Sequence, residues 1–265
     1  LNSLDNITVF GDSWGRGRWS RPDGSKEWGH GNDGDNYFTQ SLQRYIPGVK
    51  NHSSGGKSNI ESLRKLHMEI NNNDRRNLAS NIDNNKLENI LVIQTEPIRD
   101  VLQFIGFSGN EPGPIYSITK EHNFQSYVNT LVDFFYYNLN LLAEKNNLNL
   151  YITAGCSDLN LKLLKKYKHV IPVCDSYYKL LDDSYTKLNS ISDTYNISYA
   201  LEKVSNKTNK IIINNLTHKH KIQEKYQEIY FGYGGDNHPS GDGIDLWIDH
   251  IIKNLTFIRK GKQHK

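Results

Sequence analysis

The chain has 265 residues, 36% hydrophobic and 23% charged, with a mean hydropathy of −0.68. That length suits one large domain with a buried core, and 16 Tyr, 9 Phe and 4 Trp supply apolar bodies for it, which excludes disorder over most of the chain. A formal net charge of +3 is too mild for a nucleic-acid surface, which needs Lys and Arg gathered on one face.

The densest basic run, residues 162–169, reads as a solvated helix end. No apolar run approaches the ~20 residues of a membrane span. No basic-then-apolar leader opens the chain, which begins with Leu, so a soluble processed product or excised domain is expected. Cys156 and Cys174 make no disulfide framework; one bridge or two free buried thiols both fit. The acidic run 32–36 lacks the spacing and closing Glu of a calcium loop, and His218 and His220 are badly spaced for a shared metal, so neither metal nor cofactor is expected.

In chain order, ITVF (7–10) reads as a strand running into Gly11-Asp12-Ser13. An irregular loop covers about 14–36. Ser58 with Glu61 three positions later is a capping-box start for a helix whose Ile60, Leu63, Leu66 and Ile70 share a face. NILVIQT (89–95) is a near-continuous apolar strand of the kind buried on both faces of a parallel sheet. A long amphipathic helix follows at 124–142, then strands at 148–154 and 169–173. Helical patterns occur at 177–188 and 219–230, separated by a weakly periodic, Asn/Ser/Lys-rich insertion at about 188–216 with room for a short strand at 211–213. The last helix starts near Ser240 and turns Trp247, Ile248, Ile251, Ile252 and Leu255 to the core. Strands alternating with helices predict a single three-layer α/β/α domain over 1–265, with sites at the C-terminal ends of its strands.

Four stretches fall at such ends. Gly11-Asp12-Ser13 offers a hydroxyl that becomes a nucleophile only beside a base and near N–H donors; alone, it reads first as a turn with an Asp helix cap. NHSSGGKSN (51–59) has paired glycines that let backbone approach a bound group. VIQTEPIRD (92–100) ends a buried strand on polar Gln94 and Thr95, and pairs Glu96 with Arg99. GGDNHPSGDG (234–243) places His238 and Asp236 just before the last helix, as a general base and its orienting acid.

In this order the four stretches resemble the SGNH, or GDSL-type, hydrolase superfamily. The resemblance implies a flavodoxin-like, mostly parallel five-stranded sheet. It implies Ser13 as nucleophile, His238 as base and Asp236 as the third triad member. Ser13 N–H and Gly56, five residues after Asn51, would be oxyanion donors. Two departures stand out. Thr95-Glu96 replaces the usual Asn-Asp, so Thr95 or Gln94 must substitute as donor, or a donor is lost. The acid lies two residues before the His rather than three, with Asp242 as the fallback.

The loop after Ser13 holds three of the four Trp. Asp12, Trp14, Arg16, Trp19 and Arg99 are the candidate substrate contacts; Trp28 and Tyr37 are further rings able to stack on sugars, and Arg18, Arg21 and Lys26 further cations for an acidic group. The expected function is hydrolysis of an ester, foremost an O-acetyl ester on a carbohydrate, with a small-molecule or glycan ester as the partner. Acyl transfer by the same residues and a non-catalytic binding module that kept the fold are the alternatives.

Overall fold

The structure, a computed structural model, describes residues 4–16, 19–20, 26–27, 37–55, 57–80, 87–97, 100, 124–155, 157–181 and 239–262. In chain order the elements are β1 (Asn6–Phe10), α1 (Ser13–Arg16), β2 (Trp19–Ser20), β3 (Lys26–Glu27), α2 (Tyr37–Gln43), β4 (Gly48–Asn51), α3 (Asn59–Ser80), β5 (Asn89–Gln94), α4 (Phe124–Asn146), β6 (Asn149–Ala154), α5 (Leu161–Leu164), β7 (Val170–Ser176), α6 (Tyr177–Leu181) and α7 (Gly241–Lys262).

Five strands form one parallel sheet in the order β4-β1-β5-β6-β7. In strand sequence this is 2-1-3-4-5, the flavodoxin-like order expected from the motifs, with helices on both faces. The chain leaves β1 toward one edge and returns to β5 on the other side. The crevice where a doubly wound sheet holds ligands therefore opens between the C-terminal ends of β1 and β5. The short β2 and β3 pair antiparallel as a separate ribbon.

Alternation along the strands divides the core in two. Phe10, Ile90, Val92, Leu150 and Ile152 join the cluster built with α3 and α4. Ile7, Val9, Leu91, Ile93 and Tyr151 join the cluster built with α2, α6 and α7. The central strand β5 is buried throughout, as its unbroken apolar run required.

The helix boundaries follow local chemistry. Ser58 Oγ accepts the Glu61 N–H at 3.3 Å, so the expected cap opens α3. Asn147 adopts a left-handed φ of 51° just beyond α4. The Leu148 N–H then reaches back to the Ala143 carbonyl at 2.9 Å, closing a Schellman turn. Trp247, Ile248 and Ile251 of α7 are fully buried, while Ile252 packs at the margin of the core.

Strand β4 and helix α2 escape the periodicity reading. Only Asn51 of β4 is buried, because an edge strand needs no continuous apolar run, and exposed Lys50 suits an edge kept from pairing further. Pro172 sits on the opposite edge, in β7, where a missing N–H costs no ladder bond. The expected strand at 211–213, the helix at 219–230 and the insertion at 188–216 lie outside the described residues. Among the described residues no helix is long and apolar enough to cross a membrane. Cys174 is a buried free thiol, which burial pushes up to about 12; Cys156 lies outside the described residues.

Helix α7 is docked on α2 by one carboxylate. Asp245 accepts Ser41 Oγ–H at 2.5 Å, Arg44 N–H at 2.8 Å and Tyr37 O–H at 3.1 Å. Burial alone would raise its carboxyl, but hydrogen bonds from Ser41, Arg44 and Tyr37 outweigh burial and hold it below the usual aspartate range. A depressed folded-state value adds stability above the unfolded-chain value, and that stability is lost as pH falls through the folded one. Asp245→Asn should therefore lower the unfolding free energy near neutral pH by on the order of 1 kcal/mol, because Arg44 is solvated, and the urea midpoint with it. The gap to the parent should close below about pH 4, the aspartate range; urea titrations across pH read both effects.

Candidate active site

The Gly-Asp-Ser turn leaves β1 at the switch point, and Ser13 is the first residue of α1. Of Ser13 the backbone is described, and its side chain lies outside the described atoms. The two residues flanking it are anchored. Asp12, 1% exposed, accepts the Trp14 N–H on Oδ1 at 3.0 Å. That bond is an N-cap, the local role a Gly-Asp-Ser turn implies by itself.

Trp14, 2% exposed, lies in the core. Its ring meets Tyr177, Tyr178 and Trp247 at centroid distances of 5.8, 5.7 and 6.3 Å. It also lies flat against Gly155 at the end of β6, where an added Cβ would stand 2.6 Å from the indole. Trp14 thus nails the turn to the core instead of offering a face to the loop. Arg16 ends α1, half-buried.

The segment after β4 runs alongside the turn. His52 N–H donates to the Val9 carbonyl at 2.8 Å and Ser54 N–H to the Gly11 carbonyl at 3.1 Å, which extends the β1–β4 ladder beyond the sheet. Asn51 donates to the Gly15 carbonyl at 2.8 Å and to Thr39 Oγ1 at 3.0 Å, and accepts the Ser53 N–H at 2.9 Å. One amide therefore ties β4 to α1 and α2. A Cβ on Gly15 would stand 2.5 Å from Ser53 Oγ, so glycine is what lets α1 approach this segment. Lys65 of α3 braces it from below, with Nζ donating to the His52 carbonyl at 3.0 Å and to Ser54 Oγ at 2.5 Å. Burial lowers the Lys65 ammonium, helped by the nearby charges of Lys57, Arg64 and Arg16 and opposed by Glu61.

The end of β5 forms the other wall. Gln94 is buried, and its Oε1 accepts the Tyr136 O–H of α4 at 2.7 Å. Thr95, 3% exposed, puts Oγ1 2.7 Å from Asp12 Oδ2 and 2.6 Å from Glu96 Oε2. Its N–H donates to Asn59 Oδ1 at 2.9 Å, and Asn59 Nδ2 donates back to its carbonyl at 3.2 Å. The Thr95 N–H and hydroxyl are thus both engaged within the protein in this conformation.

Asn59 and Asp100 are the site residues that motif reading missed. Asn59 pairs with Thr95 as a neighbouring strand would, and a second bond from Nδ2 reaches Asp100 Oδ2 at 2.8 Å. Asp100 Oδ1 accepts the Ile60 N–H at 2.9 Å, so one carboxylate closes the start of α3. Burial pushes the Asp100 carboxyl up, against the lowering effect of the Ile60 N–H and the Asn59 and Ser58 side chains. The available signal was polar residues at the ends of both motifs, NHSSGGKSN and VIQTEPIRD, where a solvated loop would need none in particular.

At the far side of the same end of the sheet, Ser176 donates to Asp158 Oδ1 at 2.6 Å and accepts the Lys179 N–H at 3.0 Å, capping α6. Asp175 accepts the Leu159 N–H at 2.6 Å and Lys179 Nζ at 2.5 Å. Burial and then the charge of Asp158 raise the Asp175 carboxyl, against Lys179. Helix α7 begins here too. Ser240 Oγ accepts the Gly243 N–H at 3.1 Å, and one turn on Trp247 Nε1 meets Thr153 Oγ1 at 3.3 Å near the end of β6. Asp242, in that first turn, is exposed.

Trp19 pairs through its backbone with Glu27 in the ribbon. Tyr37 caps the α2–α7 contact, with the Arg44 guanidinium 5.9 Å from its ring centre. Gly56, Arg99, Asp236 and His238, together with Arg18, Arg21 and Trp28, lie outside the described residues.

The geometry makes Asn59 the keeper of Thr95. Asn59→Ala leaves a buried N–H and a buried carbonyl without this partner, and should cost about 2–3 kcal/mol. Chemical denaturation reads the loss; an unchanged midpoint would show that the Asn59 bonds carry no stability.

No protein-family model matches the chain, and no curated protein matches it. Among solved structures, a protein described as a lipolytic protein of the G-D-S-L family from Desulfitobacterium hafniense DCB-2 is similar, with a TM-score of 0.38 and 12% identity, over 94% of this chain and 99% of that one. An acetylxylan esterase from Geobacillus stearothermophilus is similar with a TM-score of 0.36 and 11% identity, over 96% of this chain and 94% of the esterase.

Proposed function

We propose that the chain is an ester hydrolase of the SGNH type, with Ser13 as nucleophile, His238 as general base and Asp236 as the acid that orients it. The observation that carries this reading is the position of the Gly11-Asp12-Ser13 turn. It lies at the switch point of a 2-1-3-4-5 parallel sheet, capped by Asp12 and anchored by buried Trp14. A site at that crevice is what the fold supports on general grounds.

In this reading His238 removes the Ser13 hydroxyl proton as Oγ attacks the ester carbonyl carbon. The carbonyl π electrons move to oxygen, and the oxyanion is held by backbone N–H groups of Ser13 and Gly56. Collapse breaks the bond to the leaving alkoxide, which takes the proton from the imidazolium. Water then attacks the acyl-enzyme by the same route and releases the acid. Thr95, with its N–H and hydroxyl both engaged, supplies no third donor in the conformation described, and the Oε1 of Gln94 is taken up by the Tyr136 O–H. A missing donor of this kind costs roughly 3–4 kcal/mol of transition-state stabilisation, so a modest kcat is expected. An O-acetyl group on a carbohydrate is the proposed substrate, on the strength of the Trp- and Arg-rich segment after Ser13.

The engaged Thr95 also favours a second reading, a binding module that kept the fold. Ser13→Ala separates the two. Hydrolysis of p-nitrophenyl acetate by the parent should fall by about three orders of magnitude or more in the variant, and a fluorophosphonate should label the parent at Ser13 alone. A folded parent that neither turns over the ester nor takes the label is the outcome expected of the binding module.

A further inference from the structure

The segment 52–55 follows β4, leads toward α3 and runs beside the turn that carries Ser13. Backbone bonds hold it on the β1 side: His52 N–H to the Val9 carbonyl at 2.8 Å and Ser54 N–H to the Gly11 carbonyl at 3.1 Å. On the α3 side one ammonium reaches two acceptors. Lys65 Nζ donates to the His52 carbonyl at 3.0 Å and to Ser54 Oγ at 2.5 Å. These acceptors lie two residues apart, so a single side chain fixes both the backbone at His52 and the hydroxyl of Ser54. Between them, the Ser53 N–H is held by Asn51 Oδ1 at 2.9 Å.

The base of this clamp is firm. Lys65 precedes Leu66, which is buried in the core, and the first turn of α3 is closed by Ser58 Oγ and by Asp100. Bonds from an ammonium are stronger than those between neutral groups. A lysine serving solubility alone would carry its charge into water; this one is half-buried and reaches the segment beside its own helix. Burial lowers its ammonium against the favourable charge of Glu61, and the charges of Lys57, Arg64 and Arg16 lower it further.

The segment ends on Gly55, followed in sequence by Gly56, a pair with wide backbone freedom. A backbone N–H stabilises an oxyanion best when it is aimed before the charge develops. We propose that Lys65 is a positioning residue, whose ammonium clamps residues 52–55 to α3 and so holds them against the turn that carries Ser13. Its effect on turnover rests on the esterase reading and on Gly56 as an oxyanion donor; the clamp itself does not. Lys65 touches no reacting atom in this role and acts through His52 and Ser54.

Lys65→Met keeps an unbranched stem and removes the donors. Hydrogen exchange of the full chain reads the clamp without reference to activity. The Ser54 amide, which donates to Gly11, should exchange about tenfold faster in the variant, with the amides of β5 and α4 unchanged; unchanged protection at Ser54 overturns the proposal. If Ser13 is the nucleophile, kcat for p-nitrophenyl acetate should fall by about one to two orders of magnitude, with KM within about twofold. An active parent whose kcat survives Lys65→Met overturns the positioning role, and so does a loss confined to KM, since Lys65 would then contact substrate. Aminoethylation of Lys65→Cys rebuilds an ammonium at this place and should recover most of kcat, measured against the parent treated in the same way. No recovery in folded, aminoethylated protein overturns the role. Ser54→Ala, at a half-buried position, removes one acceptor and carries the test if the Lys65 variants fail to fold. It should speed exchange of the amide at position 54 and lower kcat severalfold; neither change overturns the proposal again. Faster Ser54 exchange in Lys65→Met, from a parent without ester activity, supports the clamp and removes only the esterase reading.

Discussion

The chain continues from the parallel strands β1 and β5 toward opposite edges of the sheet, and a buried hydroxyl joins the two strand ends. Thr95 Oγ1, at the end of β5, reaches Asp12, at the end of β1, at 2.7 Å. The switch point opens a crevice because the loops there diverge, and divergence alone would leave the crevice walls loosely related. A polar bridge supplies the missing constraint. Within a low-dielectric setting such a bridge is strong when every member is satisfied and costly when one is not. That is why Asn59 matters as much as Thr95 itself: it fixes the threonine backbone that carries the bridging hydroxyl.

Apolar packing does the same work from the opposite face. Trp14 follows Ser13 directly, yet its ring lies among Tyr177, Tyr178 and Trp247 and against Gly155. The turn is therefore held between a polar clamp on Asp12 and an aromatic anchor on Trp14. Elements far apart in sequence meet at that anchor, with α6 and α7 both contributing rings. Close approach is bought with glycine at Gly15 and Gly155, where a single added carbon would displace Ser53 or the indole. Preorganisation of this kind is what a hydroxyl nucleophile needs, since its geometry must survive without bound substrate.

The sheet was legible because its central strands carry unbroken apolar runs, which only two-sided burial explains. The cap at Ser58 and the inward face of α7 were legible for similar local reasons. The edge strand β4 was not, since its residues gain little from burial, and its place is set by pairing with β1. At the site, a Gly-Asp-Ser at a strand end was visible as a pattern, but Asp12 had two candidate roles and the sequence alone could not weigh the N-cap against a substrate contact. Trp14 looked like a loop aromatic because the loop continues after it; only the short helix α1, starting at Ser13, turns it inward. Glu96 was read as half of an ion pair with its neighbour Arg99, the nearest opposite charge along the chain. Arg99 lies outside the described residues, and the long-range contact here is that of Thr95 with Asp12, which depends on β1 and β5 being adjacent, a fact that spacing does not encode.

The two ends of the sheet make the contrast concrete. At the N-terminal end, Asn89 donates to the carbonyl and side-chain oxygen of Asn6, at 3.2 and 3.3 Å, and Asn149 donates to Asn89 at 3.2 Å. This ladder of neutral amides across β1, β5 and β6 satisfies strand ends at no electrostatic cost. At the C-terminal end stand carboxyl groups instead: Asp12 and Glu96 at the switch point, Asp158 beyond β6 and Asp175 in the last residues of β7, each buried. Burying acids is expensive, and a fold needing only closure would use amides at both ends, as it does at one. Amides such as Asn51 and Asn59 also serve the C-terminal end, but the buried acids of this comparison stand there. That asymmetry in buried acids, read along strands whose apolar residues are otherwise alike, sets the C-terminal end of the sheet apart from the N-terminal one independently of any motif, and the proposed site lies at that end.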